Sequence, residues 1–474
     1  MYFNTLPFVI FFVAVCVLFF IVPQKFRWFL LLAASIFFYT YTVPSFLIVL
    51  GISILINYAV GIAMDGKEDS PRKSLFIIGI ILNVALLCFF KYLYLLGTNI
   101  TGMFSSFEQT NTFDKSIYFL PIGLSFHTFQ GISYLAEVYK KNFRAENHIG
   151  IFSLYILFFP QVMAGPIEKP QDLLKQFYED KKLEYNRISA GLRMVLWGLF
   201  KKMVIADRVS VYVNAVYGNP QRMSSITILI GTLFFIVQIY CDFSGYVDIA
   251  RGTAKVLGFE LGENFNRPFF GKGVVDKIMR WHISLYKWFK EYIFTPITES
   301  LTGKSFAGML AAVVIVFVIS GLWHGIKSTY LIWGLLTAAA VVVEQIFTRV
   351  VKPQKFLNKK LLNLIGWGLS TLLLIPACVF FRALSTGDAM FILQKLIHLK
   401  PANVFKGEPP LAFYYGFFGV FFLLITEFIQ EYIPALKIIN SRFMVVRFAS
   451  YLILVLLILM IGVFDKTQFI YFQF

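Results

Sequence analysis

About a dozen runs of roughly 20 mostly apolar residues recur between Leu6 and Phe464, and nothing else restricts the fold of this chain so severely. Each run is long enough for an α-helix to cross a bilayer core of about 30 Å. The spans read at about 6–22, 26–42, 45–63, 74–96, 117–138, 189–206, 224–247, 305–323, 328–348, 361–382, 410–432 and 446–464. Composition argues the same way. Of the 474 residues, 58% are hydrophobic and 15% charged, with a mean hydropathy of +0.72. Soluble domains hold roughly half apolar and a quarter charged residues, so a large soluble helical protein is set aside. The expected class is an all-α polytopic membrane protein, with residues 1–474 forming one membrane-embedded domain.

The net charge of +17 does not point to nucleic acid, because the basic residues sit in connectors between apolar runs. Lys25 and Arg27 follow the first span, and Lys67, Arg72 and Lys73 follow the third. Lys140, Lys141 and Arg144 follow the fifth, and Lys352, Lys355, Lys359 and Lys360 follow the ninth. Positive connectors face the cytoplasm, which puts the N-terminus outside, as the weakly basic loops at 43–44 and 97–116 also require. The first run lacks a basic n-region and a small-residue cleavage site, so it is expected to stay as a helix. Cys16, Cys88, Cys241 and Cys378 lie in or beside apolar runs, unpaired at metal-ligand spacing, and read as small packing residues.

Two segments break the alternation. Residues 149–170, GIFSLYILFFPQVMAGPIEKP within them, have basic residues on both sides, and their short apolar part carries Pro160, Gly165 and Pro166. A re-entrant hairpin fits, since irregular backbone survives at membrane depth only inside protein or beside a wet cavity. Residues 248–304 are too polar to span and too aromatic for a free loop. Within them, DKIMRWHISLYKWFKEYIF places Ile278, Trp281, Leu285, Trp288, Phe289 and Tyr292 on one face of a helical wheel. Lys277, Arg280, Ser284, Lys287, Lys290 and Glu291 fall on the other. That is an amphipathic helix suited to the leaflet surface. His282 falls on its apolar side, where a surface anchor gains nothing from an imidazole.

The chain has five histidines: His127, His148, His282, His324 and His398. His148 and His398 lie in hydrophilic connectors. Ionisable groups in apolar surroundings are costly and mark functional candidates. His324, in GLWHGIKSTYLIWG, ends an apolar run just before Gly325 and is the sharpest of them. His127 reads as a packed, hydrogen-bonding residue between helices. In QIYCDFSGYVDIARG, Gln238, Asp242, Ser244 and Asp248 close a span; buried carboxylates need partners, and Arg251 or Arg280 is expected to pair with them. No metal site is read, since ligand spacing is missing.

FPQVMAGPIEKP, QIYCDFSGYVDIARGTAKVLGFELGENFNRPF, RWHISLYKWFKEYIFTPI, GLWHGIKSTYLIWG, VFFRA and the terminal FIYFQF occur in one order. Together they resemble the membrane-bound O-acyltransferase family, in its bacterial branch typified by the alginate O-acetylation membrane protein. The resemblance implies a ring of about 11–12 transmembrane helices with re-entrant and amphipathic elements, pierced by a tunnel from cytoplasm to exterior. It implies a catalytic histidine at His324 and a second polar site residue at His282. One departure is visible: where the branch often has YIPLGG, this chain has FTPITESLTGKS.

The expected function is transfer of an acetyl group from a cytoplasmic donor, acetyl-CoA, for O-acetylation of an exported or envelope polysaccharide. No bound cofactor is expected. His324 is read as general base, and His282 as the group that orients or polarises the acyl carbonyl. Arg280, Lys277 and Lys287 are read as holding the donor's phosphates, with Trp323 and Asp242 as further site residues. Implied partners are the lipid bilayer and a separate periplasmic or extracellular acetyltransferase-like protein, in a bacterial inner membrane. The rival readings are a transporter, which calls for an inverted repeat and paired broken helices, and a non-catalytic scaffold of a polysaccharide complex.

The charge pattern sets a topology test. Cysteines introduced as Lys272→Cys and Ser106→Cys are expected to react with an impermeant thiol reagent from opposite sides of the membrane. Labelling of both from one side overturns the assignment.

Overall fold

The computed structural model describes residues 1–41, 44–103, 123–300, 305–351, 358–400, 410–434, 436, 441 and 443–464, all helix or connector. The terminal FIYFQF, Ser106 and most of the 97–116 loop, residues 301–304 of the departing loop, Lys352 and Lys355 lie outside the described residues. Eight described helices are long and apolar enough to cross a membrane, and Leu6–Ile21 is a shorter apolar helix. The protein is therefore a multi-pass, all-α membrane protein. The described chain divides into two compact units, Phe3–Gly191 with Thr253–Leu261, and Leu192–Gly252 with Gly262–Phe474.

The first unit contains α1 (Leu6–Ile21), α2 (Gln24–Thr40), α3 (Leu47–Met64), α4 (Asp69–Met103), α5 (Leu124–Tyr139), α6 (Ile149–Leu157) and α7 (Pro170–Leu173). Helix α5 is its core, buried from Phe126 through Val138 against α3 and α4. His127 is buried here as the sequence predicts, but neither ring nitrogen makes a hydrogen bond among the described residues. After α6 the backbone turns through Phe158–Gly165 and comes back. With nine residues, α6 is about 14 Å long, too short to cross. Side chains support the irregular turn from several directions: Ser35 Oγ accepts from Phe159 N–H at 3.0 Å, and Gln130 and Gln161 both donate to Tyr155 O. Tyr155 Oη donates to Glu168 O at 2.8 Å, closing the hairpin. His148 is exposed and caps α6 through its Nδ1; His398 is also exposed.

Helix α8 (Tyr185–Leu199) enters the second unit, passes into a π-helical turn at Phe200–Ala206 and continues as α9 (Asp207–Gly218). Helix α10 (Ser225–Leu257) runs ten residues past the span read from sequence. Then come α11 (Val274–Arg280), α12 (Ile283–Phe289), α13 (Thr295–Ser300), α14 (Phe306–His324) and α15 (Ser328–Val351). Helices α16 (Lys359–Arg382), α17 (Thr386–Ile397), α18 (Pro410–Tyr432) and α19 (Met444–Ile461) complete the chain. Helices α8 and α10 cross at glycines. A Cβ on Gly198 would lie 2.6 Å from Gly245 O, and one on Gly245 2.8 Å from Gly198 O. Small residues allow such close backbone approach in membrane helices.

That approach brings two lysines of the π turn against α10. Lys202, 1% exposed, pairs with Asp242 at 2.6 Å and Asp207 at 2.9 Å. Lys201 pairs with Asp248 at 2.5 Å and donates to Ser244 Oγ at 2.9 Å. Asp242 and Asp248 thus find their counter-charges in Lys202 and Lys201, not in the arginines expected from sequence. A π turn adds a residue to the helical repeat, and in this one both consecutive lysines face carboxylates.

Removing one member of a buried ionic cluster leaves an uncompensated charge, at a cost of about 3–5 kcal/mol. Lys202→Ala is expected to lower membrane abundance and thermal stability severely, and Lys202→Ala/Asp242→Asn to recover part of the loss. A double variant no better than the single one would deny the pair its structural role.

Candidate functional site

His324 is the last residue of α14 and is 8% exposed. Its imidazole is surrounded by rings: Trp323 at 4.6 Å, Trp333 at 4.8 Å, Phe381 at 5.1 Å and Tyr330 at 6.4 Å between centroids. Trp333 and Phe381 meet it nearly perpendicular, at 87° and 82°, an edge-to-face arrangement favoured by the ring quadrupole. Helices α14 and α15 can close this tightly because of two glycines. A Cβ on Gly321 would lie 2.7 Å from Tyr330 O, and one on Gly334 2.4 Å from Phe317 O. Trp323 and Trp333 both pack on the imidazole, as does Phe381 from the VFFRA segment.

His282 is held by different means. The amphipathic helix expected over 276–294 is broken: α11 ends at Arg280, α12 starts at Ile283, and His282 between them has φ +45°. A left-handed conformation costs a non-glycine residue about 1–2 kcal/mol. Its side chain therefore does not lie on the wheel position predicted for it. The segment 264–267 holds the break open, with Ile283 N–H donating to Asn264 O at 2.8 Å and Asn266 N–H to Arg280 O at 3.0 Å. Asn264 Oδ1 lies 3.2 Å from His282 Nδ1 and accepts from Ser284 N–H and Ser284 Oγ, both at 3.0 Å. Phe243 and Phe265 pack on the ring, at 4.8 and 6.3 Å. Burial pushes the imidazole pKa down to about 3, a little offset by its own backbone carbonyl, so the ring is neutral at physiological pH.

The two imidazoles thus have separate shells, linked through Trp281. That indole packs against the apolar cluster holding Tyr330 and Phe381, and against the cluster of Phe200, Val204, Tyr240 and Leu423.

Of the basic residues read as donor-binding, Lys277 and Arg280 share α11 and have partners within the protein. Arg280 donates to Asp276 at 2.9 Å and to Glu431 at 3.0 Å, and Arg267 pairs with the same Glu431 at 2.8 Å. Lys277 is buried and donates to Trp367 O at 3.0 Å and to Thr371 Oγ1; burial pushes its pKa down to about 8. Lys287 is exposed. Asp242 is held by Lys202, as described above. Sequence reasoning missed Asn264, Lys201, Lys202, Glu427, whose Oε1 accepts from Tyr240 Oη at 2.5 Å, and Glu431. The signal for the lysines was present, since two consecutive cations inside a predicted span are a candidate site in their own right.

A multi-pass helical membrane protein whose buried imidazoles include one in an aromatic cage and one at a strained helix break is equipped for proton transfer away from bulk water. A model of the membrane-bound O-acyltransferase family matches residues 74–386. The peptidoglycan O-acetyltransferase of Helicobacter pylori is 31% identical over 401 residues, spanning 79% of this chain and 74% of that one. The probable alginate O-acetylase AlgI of Pseudomonas putida is 30% identical over 370 residues, 77% and 74% of the two chains. A teichoic acid D-alanyltransferase of Bacillus subtilis is 28% identical over 254 residues, 50% and 62% of the two. The chain belongs to the membrane-bound O-acyltransferase family. It is an O-acyltransferase.

Glu431 serves two guanidinium groups at once. Hydrogen bonds to charged partners each contribute about 1.5–3 kcal/mol, whereas an exposed surface change usually stays within about 0.5 kcal/mol. Glu431→Gln is therefore expected to lower the melting temperature of the purified protein clearly, and Lys287→Gln to leave it unchanged. Equal melting temperatures would mean that the arginines are held by something other than Glu431.

Proposed function

We propose that this enzyme takes an acetyl group from acetyl-CoA on the cytoplasmic side of a bacterial inner membrane and passes it outward, for O-acetylation of an exported or cell-envelope polysaccharide. The N-terminus then lies outside, and a separate periplasmic or extracellular acetyltransferase-like protein completes delivery. The observation that carries the reading is His324, a buried imidazole at a helix end ringed by Trp323, Trp333, Tyr330 and Phe381. The named relatives support the polymer class, since they act on peptidoglycan and, by their names, alginate.

The chemistry asks little beyond what an imidazole supplies. His324 takes the proton of the acceptor hydroxyl, the oxygen attacks the thioester carbonyl carbon, the C–S bond breaks, and the thiolate recovers the proton. Aromatic walls that exclude water protect the thioester from hydrolysis. With Arg280 and Lys277 engaged within the protein, Lys287 is the exposed cation of the three. On this reading it meets the donor's phosphates, and the other two shape the segment that carries it.

His324→Ala is expected to insert normally and to reduce acetylation of the polymer about 10²–10⁴-fold, the usual contribution of a positioned acid–base group. His127→Ala, a change of another buried imidazole, is the control. Acetyl content of the glycan, normalised to enzyme in the membrane, is the quantity to measure. Wild-type acetylation in the His324→Ala strain would remove the catalytic reading and favour a scaffold.

A further inference from the structure

We infer that Asn264 is a positioning residue that locks His282 in the Nδ1–H form, so that His282 acts through Nε2 as a proton acceptor. Three contacts on one oxygen carry this. Asn264 is fully buried, and its Oδ1 lies 3.0 Å from Ser284 N, 3.0 Å from Ser284 Oγ and 3.2 Å from His282 Nδ1. A backbone N–H can only donate, so the amide atom facing Ser284 N is the oxygen, and the side chain cannot be turned over without setting two donors against each other. An amide oxygen only accepts. The imidazole nitrogen beside it must therefore bear the proton, and in the neutral ring the lone pair is on Nε2.

This changes what His282 can do. Polarising an acyl carbonyl, the role expected from sequence, needs an N–H at Nε2, the nitrogen away from Asn264. The neutral Nδ1–H form has none there. It can instead accept at Nε2, sharing with His324 the one proton that leaves the acceptor hydroxyl and that the thiolate finally recovers, while Asn264 Oδ1 stabilises the charge on the opposite nitrogen. Second partners of this kind set the tautomer and basicity of metal-bound histidines, and the same logic applies to a histidine that moves protons. The left-handed backbone at His282 belongs to the device. It swings the ring onto Asn264, while Asn264 O accepts from the next residue's N–H.

Several charged groups on neighbouring elements are paired within the protein. On α10 and the π turn, Asp242 is held by Lys202 and Asp248 by Lys201. Arg267 on the facing segment and Arg280 on the histidine's own are held by Glu431. Lys277 is bound to α16, and Lys287 and Glu263 are exposed. Asn264 Oδ1 is a fixed acceptor beside Nδ1 and keeps the proton on that nitrogen.

The inference rests on the acyl-transfer reading for its kinetic test, but not for its spectroscopic one. In full-length protein in lipid, labelled with ¹⁵N-histidine, the His282 signal, identified by its loss in His282→Gln, is expected to show the Nδ1–H tautomer at neutral pH. An Nε2–H signal overturns the proposal, whatever the activity. In kinetics, Asn264→Asp keeps the acceptor oxygen and adds a negative charge beside the ring. It stabilises the imidazolium and is expected to move the acid limb of the rate profile upward by about 1–3 pH units, with the alkaline plateau kept. Asn264→Leu is expected to lower kcat at an unchanged KM for the donor. An Asn264→Asp profile superimposable on wild type would refute the proton-acceptor role. Loss of transfer in His324→Ala with the tautomer as expected leaves this inference standing, and a silent His324→Ala sinks the acyl-transfer reading alone.

Discussion

The second unit depends on Lys202. A lysine that is 1% exposed is tolerable only with its charge answered on the spot, and the protein supplies Asp242 and Asp207 for it and Asp248 for its neighbour. The cluster explains several features that otherwise look unrelated. Gly198 and Gly245 are needed because any larger residue would hold the lysines away from the carboxylates. The π turn at Phe200–Ala206 is needed because consecutive lysines in a regular helix point about 100° apart. Phe243, one residue beyond Asp242, is thereby fixed against the imidazole of His282.

The fold was legible at the level set by solvent. Runs such as 305–323 and 328–348 are apolar because lipid and neighbouring helices surround them, and α14 and α15 lie where those runs lie. The hairpin after α6 was legible because Pro160, Gly165 and Pro166 forbid regular helix at a depth where only buried irregular backbone is allowed. The sequence failed where a tertiary contact overrides a local pattern. Residues 276–294 have a sound 3.6-residue period, yet the helix breaks at His282 because Asn264, 18 residues upstream in the chain, accepts three hydrogen bonds that a continuous helix would not allow. The period cannot report a hydrogen bond to another segment. For the same reason the partners of Asp242 and Arg280 were misassigned. Local basic residues looked available, but Asp242 pairs with Lys202 from another helix, and Arg280 pairs with Glu431 as well as with Asp276 on its own helix.

The candidate site was legible in its imidazoles and much less so in its cations. His324 and His282 stood out because five histidines in a chain this apolar are few. The rings around His324 were partly readable, since Trp323, Tyr330 and Trp333 are neighbours in sequence, while Phe381 arrives from α16. The basic stretch from Arg251 to Lys290 suggested a phosphate-binding surface by charge alone. Charge does not say whether a cation is spent, and Arg280 and Lys277 are spent on Glu431, Asp276, Trp367 and Thr371.

These observations separate two ways of keeping an imidazole useful in an apolar protein. At His324 the surroundings include four rings, Trp323, Trp333, Tyr330 and Phe381, whose packing holds the imidazole. At His282 the surroundings include one amide oxygen with fixed orientation, which assigns the proton to a named nitrogen. Packing of the first kind tolerates adjustment, because ring contacts fall off gradually with distance. A hydrogen-bonded assignment does not, because a donor set against a donor loses its bond outright. The strain at His282 is consistent with that difference. A left-handed histidine persists only where the surroundings over-determine it, and the five hydrogen bonds between residues 264 and 266 and residues 280–284 are enough to do so.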